Sequence, residues 1–388
     1  MFNFRFQQLS FWLGFLAASV FWWLVKKLRP HAIKLWKGLR TRLRVRKQKK
    51  SLNAEQIQRQ NTLELVQQLH VAAPLFSLDE LLIPPRLFAP PAPEKPTEGS
   101  YQRDIIEQVV PYMPDQPAFP LAYKAPTLTM AEALEGGTNI ALIGAPGQGK
   151  TVALAHLASQ ISRQETDIDT LNQLVPFYIS AFNLLPHLPT EDSLDVLVEA
   201  VMANPASRPI DQHLPQLMEA VLENDLALLL VDDMDQLLSK DIQNVCQFLG
   251  KVFEDYPTAR AVVTASNQYF DGILNLDLVP LSVTGWGREE RATFAQTWGE
   301  LWGRYANPHN DDQSPEERER SSLSPLLLNG WLFNEQGAPS PLEFTLKIWS
   351  VYAGDVLGST GVDALEAHVH RMTTEIRRNP FPALINLA

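Results

Sequence analysis

The 388-residue sequence has a single cysteine, Cys246. That excludes an internal disulfide, and nothing argues for an oxidising compartment. Cys246 lies in the apolar run Val245-Cys246-Gln247-Phe248-Leu249, which predicts a small buried hydrophobe rather than a reactive thiol. Acidic residues are missing from positions 1–50, which hold 13 Lys/Arg; the other 20 basic residues face all 44 acidic ones in the remainder. The basic stretch suits anionic lipid. The acidic remainder lacks the basic face a nucleic-acid partner requires, so none is expected. Internal repeats of about 20–50 residues are absent. No Ser/His/Asp or paired-carboxylate pattern emerges, and His368 and His370 have no Cys or carboxylate pattern around them for a metal.

What the sequence does have begins near its amino terminus. Leu9 to Val25 is a run of 17 residues without a charge. As a helix it spans about 25 Å, a little short of a bilayer core of about 30 Å. Phe2, Phe4 and Phe6 extend the apolar character, and Trp22 and Trp23 fall where an interfacial aromatic belt would be. A cleaved signal peptide places its positive charge before the apolar core. Here one Arg precedes the run and twelve basic residues follow it by position 50. The expectation is a single-span anchor over 1–26, with the N-terminus outside and the rest of the chain cytoplasmic at the cell membrane. Residues 27–73 read as a basic juxtamembrane segment and a helix. Residues 74–126 carry prolines too dense for regular helix and read as a linker. Leu81, Leu82, Ile83, Leu87 and Phe88 interrupt its polarity, so part of it is expected to dock as a strap.

The stretch Gly144-Ala145-Pro146-Gly147-Gln148-Gly149-Lys150-Thr151 fits the phosphate-loop pattern at every fixed position. Its glycines let backbone N–H groups turn onto phosphate oxygens. Lys150 supplies a point charge, and the Thr151 hydroxyl supplies a ligand for Mg²⁺. The apolar run 138–143 before it predicts a buried strand, and 152–158 after it predicts a helix whose N-terminus faces the anion. Further on, the apolar run 226–231 ends in Asp232-Asp233-Met234-Asp235. Acidic residues at the carboxyl end of a buried strand sit where open α/β sheets bind ligands. Asp232 is the candidate for Mg²⁺, and Asp235 or Asp233 for orienting the attacking water. Strands at 174–180 and 260–267 complete the predicted sheet. Thr264, Ser266 and Asn267 are candidates for sensing a γ-phosphate.

This order of motifs resembles the NACHT branch of the STAND class of P-loop ATPases, relatives of the AAA+ group. The resemblance rests on GAPGQGKT, VPFYIS, LALLLVDDMDQL and AVVTAS, and spans about residues 127–350. It implies a parallel sheet flanked by helices over 127–283 and a helical, winged-helix-like region over 284–388. It implies ATP or ADP with Mg²⁺, and catalytic roles for Lys150, Asp232 and Asp235. Ser324-Pro325-Leu326-Leu327-Leu328 resembles the motif whose proline packs on adenine, with Gly337-Ala338-Pro339 as a competitor. There are departures. Asp233 stands where the family has Gly, Ala or Ser, Gln236 replaces a glutamate, and the sensor strand lacks its arginine.

The C-terminal part offers apolar positions at helical spacing: Phe344, Ile348, Tyr352 and Val356, then Leu365, His368, Met372 and Ile376. Both sets are read as core. The resulting expectation is a membrane-tethered, nucleotide-controlled switch that self-associates with ATP and resets by slow hydrolysis. The alternatives are an AAA+-type remodelling motor, with Arg288 and Arg291 as candidates for a trans-acting arginine, and a non-hydrolysing scaffold.

Overall fold

The computed structural model describes residues 53–88, 125–135, 137–165, 168, 171–188, 192–204, 213–266, 273–306, 330, 339–355 and 361–374. The expected anchor, the basic segment to residue 50, much of the proline-rich stretch, Asn267, Pro325, Val356 and Ile376 lie outside them. Among the described residues no helix is long and apolar enough to cross a membrane. The chain divides into two units, Met1–Gln56 and Ile57–Ala388. Of the first, residues 53–56 are described, and they are helical.

The strands are β1 (Leu87–Phe88), β2 (Thr127–Leu128), β3 (Ile140–Ile143), β4 (Val175–Ser180), β5 (Ala227–Asp232), β6 (Arg260–Ala265) and β7 (Val279–Ser282). β3 to β7 form one parallel sheet in the order β4-β5-β6-β3-β7. All six residues of β5 are buried, as a strand covered on both faces must be. β6 lies between β3 and β5, beside the phosphate-loop strand as the sequence suggests. β7 is a fifth strand, paired with β3 at the sheet edge, beyond the four that the sequence predicts. It is short and carries Pro280, whose missing N–H is tolerated at a sheet edge.

Of the helices, α1 occupies 53–66, α2 Leu78–Leu81, α3 Met130–Glu135 and α4 Lys150–Arg163. The segment from residue 57 to 88 packs on the sheet unit. Val66, Leu78 and Leu87 join the main core with Leu142, Leu154, Leu157 and Leu230. Polar contacts fix it further. Gln58 Nε2 and Thr62 Oγ1 donate to Pro176 O at 3.3 and 3.2 Å, satisfying an acceptor on edge strand β4. Arg59 is buried and donates to Ile161 O at 2.8 Å and Asn172 O at 3.1 Å. A guanidinium on the last-turn carbonyl of Ile161 also complements the negative end of α4. Asp79 of α2 pairs with Arg163 in the same turn.

Beyond the sheet come α5 (Ala181–Leu184), α6 (Ser193–Met202), α7 (Leu214–Glu223), α8 (Ser239–Asp255), α9 (Arg288–Leu301), α10 (Pro341–Ala353) and α11 (Gly361–Thr374). α9 and α10 build a second core with the strap, in which Phe76, Leu81, Phe294, Trp298, Phe344 and Trp349 meet. Phe344 and Ile348 are buried as expected. Leu365 and Met372 are not core: they are 50% and 47% exposed. α11 instead turns buried Ala364 and half-buried His368 inward, His368 lying 4.9 Å from the Trp349 ring. Arg371 stacks over the same ring and pairs with Asp355. Of the set chosen by apolar spacing, His368 shares the inward face, whereas Leu365 and Met372 turn away from it.

Candidate nucleotide site

The loop after β3 turns tightly because two of its glycines are left-handed, Gly147 at φ +79° and Gly149 at φ +93°. Side chains rarely adopt such angles without cost. Gly149 is the N-cap of α4, and no side chain caps that first turn. A helix start without a cap leaves backbone N–H groups for an anion, reinforced by the helix dipole. Gly147 has a second constraint. A Cβ there would come within 3.0 Å of Leu342 Cβ and 3.1 Å of Ser340 Oγ. Leu342 N–H donates to Gly147 O at 3.1 Å, so the start of α10 sits directly on the phosphate loop.

Lys150 is largely buried. Its ammonium donates to Gly144 O at 2.7 Å and Ala145 O at 3.2 Å, and lies 3.0 Å from Asp235 Oδ2. Those contacts put the phosphate loop and the acidic turn after β5 on the same side of the sheet. Asp232, at the end of β5, is 1% exposed. Tyr178 O–H donates to its Oδ2 at 2.7 Å, and Asp233 N–H donates to its Oδ1 at 2.9 Å. Burial, with Asp232 and Asp233 nearby, pushes the Tyr178 phenol far above its ordinary range, so it remains a donor.

Asp233, the residue that departs from the resembled pattern, is accommodated by three features. Its backbone is left-handed at φ +65°. Ser180 Oγ donates to its Oδ2 at 2.6 Å, and Gln236 Nε2 donates to its Oδ1 at 2.8 Å. Burial raises its pKa; the Ser180 bond opposes this, and the charges of Asp232 and Asp235 add to it. The two departures therefore belong together, because a glutamate at 236 would set a carboxylate against Asp233. Gln236→Glu is expected to lower stability by about 1 kcal/mol near neutral pH. That cost shrinks as pH falls from 7 toward 4, where a carboxyl with a raised pKa takes up its proton first. Thermal denaturation across that range reads it out, and a cost independent of pH would refute the repulsion.

A cavity of about 760 Å³ opens beside the loop. Pro146 to Val152 line it, together with Asp235 and Gln236. Its other walls come from three distant stretches: the strap (Leu69, His70, Leu82, Ile83), the start of α9 (Trp286, Glu290, Phe294) and the start of α10 (Pro341, Leu342, Thr345). Gly144 and Ala145 contribute their carbonyls to Lys150 rather than a wall. Thr264 is fully buried inside β6, and its hydroxyl has no partner among the described residues. Arg291 is 3% exposed, with Nε donating to Gly287 O at 3.1 Å, so from this position it cannot reach a neighbouring molecule.

The donor set fits a magnesium nucleotide. Uncapped N–H groups and Lys150 suit phosphate, and the oxygens of Thr151 and Asp232 suit Mg²⁺. Among the described residues no group of three or more His, Cys, Asp or Glu is disposed to hold a metal ion. Mg²⁺ would therefore need phosphate oxygens as well, which is its usual mode. Three parts of this site escape a reading by motif. Of the strap residues, Leu82 and Ile83 are ordinary apolar positions in the proline-rich stretch, and Leu69 and His70 precede it. Tyr178 meets Asp232 only through strand register, in which Ser180 opposes Asp232. Pro341, at the start of α10, lines the cavity, as Pro84, Pro85 and Pro146 also do, and its signal is local. Ser340 caps α10 by accepting from Glu343 N–H at 3.2 Å, and Pro341 occupies the first turn.

Residues 138–300 match the NACHT domain, a P-loop NTPase domain. Among solved structures, the chain is similar to domain III from the Thermotoga maritima replication initiation protein DnaA. That alignment covers 66% of this chain and 95% of that one, at 18% identity and a TM-score of 0.30. It is also similar to the Aeropyrum pernix ORC2 protein, solved as ADPNP-ADP complexes, over 73% of this chain and 84% of that one, at 14% identity and a TM-score of 0.29. No curated protein matches the chain.

Proposed function

We propose that the chain is a membrane-tethered, ATP-binding switch that self-associates in its ATP form and resets by slow hydrolysis. The observation that carries this reading is the composition of the cavity wall. One face is the phosphate loop with Asp235, and the other faces are the strap, α9 and α10. Segments far apart in sequence all border this space, so a change in its occupant bears on how they are held.

The chemistry follows from the residues in place. Lys150 would exchange Asp235 for phosphate oxygens, keeping its carbonyl contacts to the loop. Thr151 and Asp232 would hold Mg²⁺, which would supply positive charge beside the phosphates. Asp235, released from Lys150, would become free to orient water. Gln236 is bonded to Asp233 and carries no charge, so the position after Asp235 supplies no base, and Asp233 is occupied by Ser180 and Gln236. Slow turnover is the consequence. The same facts favour the non-hydrolysing scaffold as a second reading. The motor reading loses Arg291, one of its two candidate arginines, to burial. The tether rests on the charge pattern of residues 1–50.

The test uses the full chain. Detergent, not salt, should release it from membranes. Light scattering and nucleotide analysis should then find one mass with ADP and a larger one with a non-hydrolysable ATP analogue. Equal masses with both nucleotides bound would remove the switch and leave the binding site. Release by salt alone would remove the tether.

A further inference from the structure

β4 places Tyr178 and Ser180 two residues apart, hence on one face of the sheet. That face meets the end of β5. Each hydroxyl takes one carboxylate there, Tyr178 that of Asp232 and Ser180 that of Asp233. Asp232 has one donor on each oxygen, the Tyr178 phenol at 2.7 Å and the Asp233 N–H at 2.9 Å. A carboxylate has about four acceptor sites, so each oxygen retains one for a metal or its water. The two bonds lie on opposite oxygens and fix the rotation of the group. Packing alone does not require the phenol, since a phenylalanine ring fills nearly the same space.

We propose that Tyr178 is a positioning residue for the metal-side carboxylate: its O–H holds Asp232 in the orientation that receives Mg²⁺ with the nucleotide. The proposal rests on the nucleotide reading above and concerns the metal half of that site. Without the phenol, Oδ2 of a nearly inaccessible carboxylate loses its only side-chain donor in the described surroundings. Asp232 then rotates more freely, and that weakens its hold on Mg²⁺. Binding of the phosphates to the loop and Lys150 does not involve Tyr178.

The experiment measures binding of the fluorescent nucleotide mant-ADP to the full chain, in EDTA and across a MgCl₂ titration. Tyr178→Phe should raise the MgCl₂ concentration needed for half of the metal's enhancement by about tenfold. Its affinity in EDTA should stay within about twofold of the wild type. Asp232→Asn should lose most of the enhancement, and adding Tyr178→Phe to it should cost little more, because the two residues act as one unit. A titration superimposed on that of the wild type overturns the proposal. So does equal weakening with and without Mg²⁺, which marks a packing role, and so do additive losses in the double variant. A wild type that binds mant-ADP without responding to Mg²⁺ overturns this proposal alone. A wild type that binds no mant-ADP overturns the nucleotide reading and this proposal with it.

Discussion

Lys150→Ala is expected to weaken nucleotide binding at least about 100-fold, the largest functional loss available from one substitution. A charge-assisted hydrogen bond to phosphate is worth about 1.5–3 kcal/mol, and the lost ammonium supplies one or more. A second loss adds to it. Lys150 lies 3.0 Å from Asp235 Oδ2, and Asp235 lines the cavity. Without the lysine that carboxylate stands uncompensated at the place where a polyphosphate must enter. The double variant Lys150→Ala/Asp235→Asn separates the two effects, because removing the carboxylate should recover the repulsive part and not the attractive part. Titration calorimetry with ADP and ATP measures both variants, and near-normal affinity in Lys150→Ala would dismiss the site. The fold should survive, since the lysine's partners are loop carbonyls and a carboxylate that water can reach.

The contrast between Lys150 and Tyr178 shows what the sequence makes legible. Lys150 sits in a pattern whose meaning is local: glycines at fixed offsets, a strand before and a helix after. Asp232 is nearly as legible, because an all-apolar run ending in acids is a buried strand reaching a ligand edge. Tyr178 is 54 residues from its partner. Its role depends on β4 pairing with β5 in one register, which no local pattern states. The strap is a case in between. Leu81, Leu82 and Ile83 stand out as apolar residues among prolines, which suggests docking. That they face the phosphate loop across a cavity depends on where α1 and α2 are pinned, by Arg59 and Asp79 at the far end of α4. β7 and the exposed stripe of α11 mislead for opposite reasons. The first is too short to show a period. The second shows a clean period, but of its described members only His368 reaches Trp349, while Leu365 and Met372 turn away.

Trp298→Ala is expected to cost about 3–5 kcal/mol, the largest stability loss from one substitution in the second core. Trp298 is fully buried, with Phe76 at 5.1 Å in an edge-on contact, Phe294 at 5.9 Å and Trp349 at 6.1 Å. It therefore ties the strap to α9 and α10, the three stretches that wall the cavity together with the phosphate loop. The sheet core, centred on Leu142, Leu154 and Leu230, does not include it. Urea denaturation followed by circular dichroism should therefore move an early transition of the second core and leave a later one in place. Nucleotide affinity should fall as well, although no residue of the loop is touched, because the far walls lose their common support. Trp298→Phe should be much milder. It keeps most of the ring contacts and removes an indole N–H that has no hydrogen-bond partner among the described residues. If Trp298→Ala lowers stability by the expected amount yet binds nucleotide as the wild type does, the strap and α10 are walls in position only. The ligand would then be held by the loop and Lys150 alone, and the coupling on which a switch depends would have no material link.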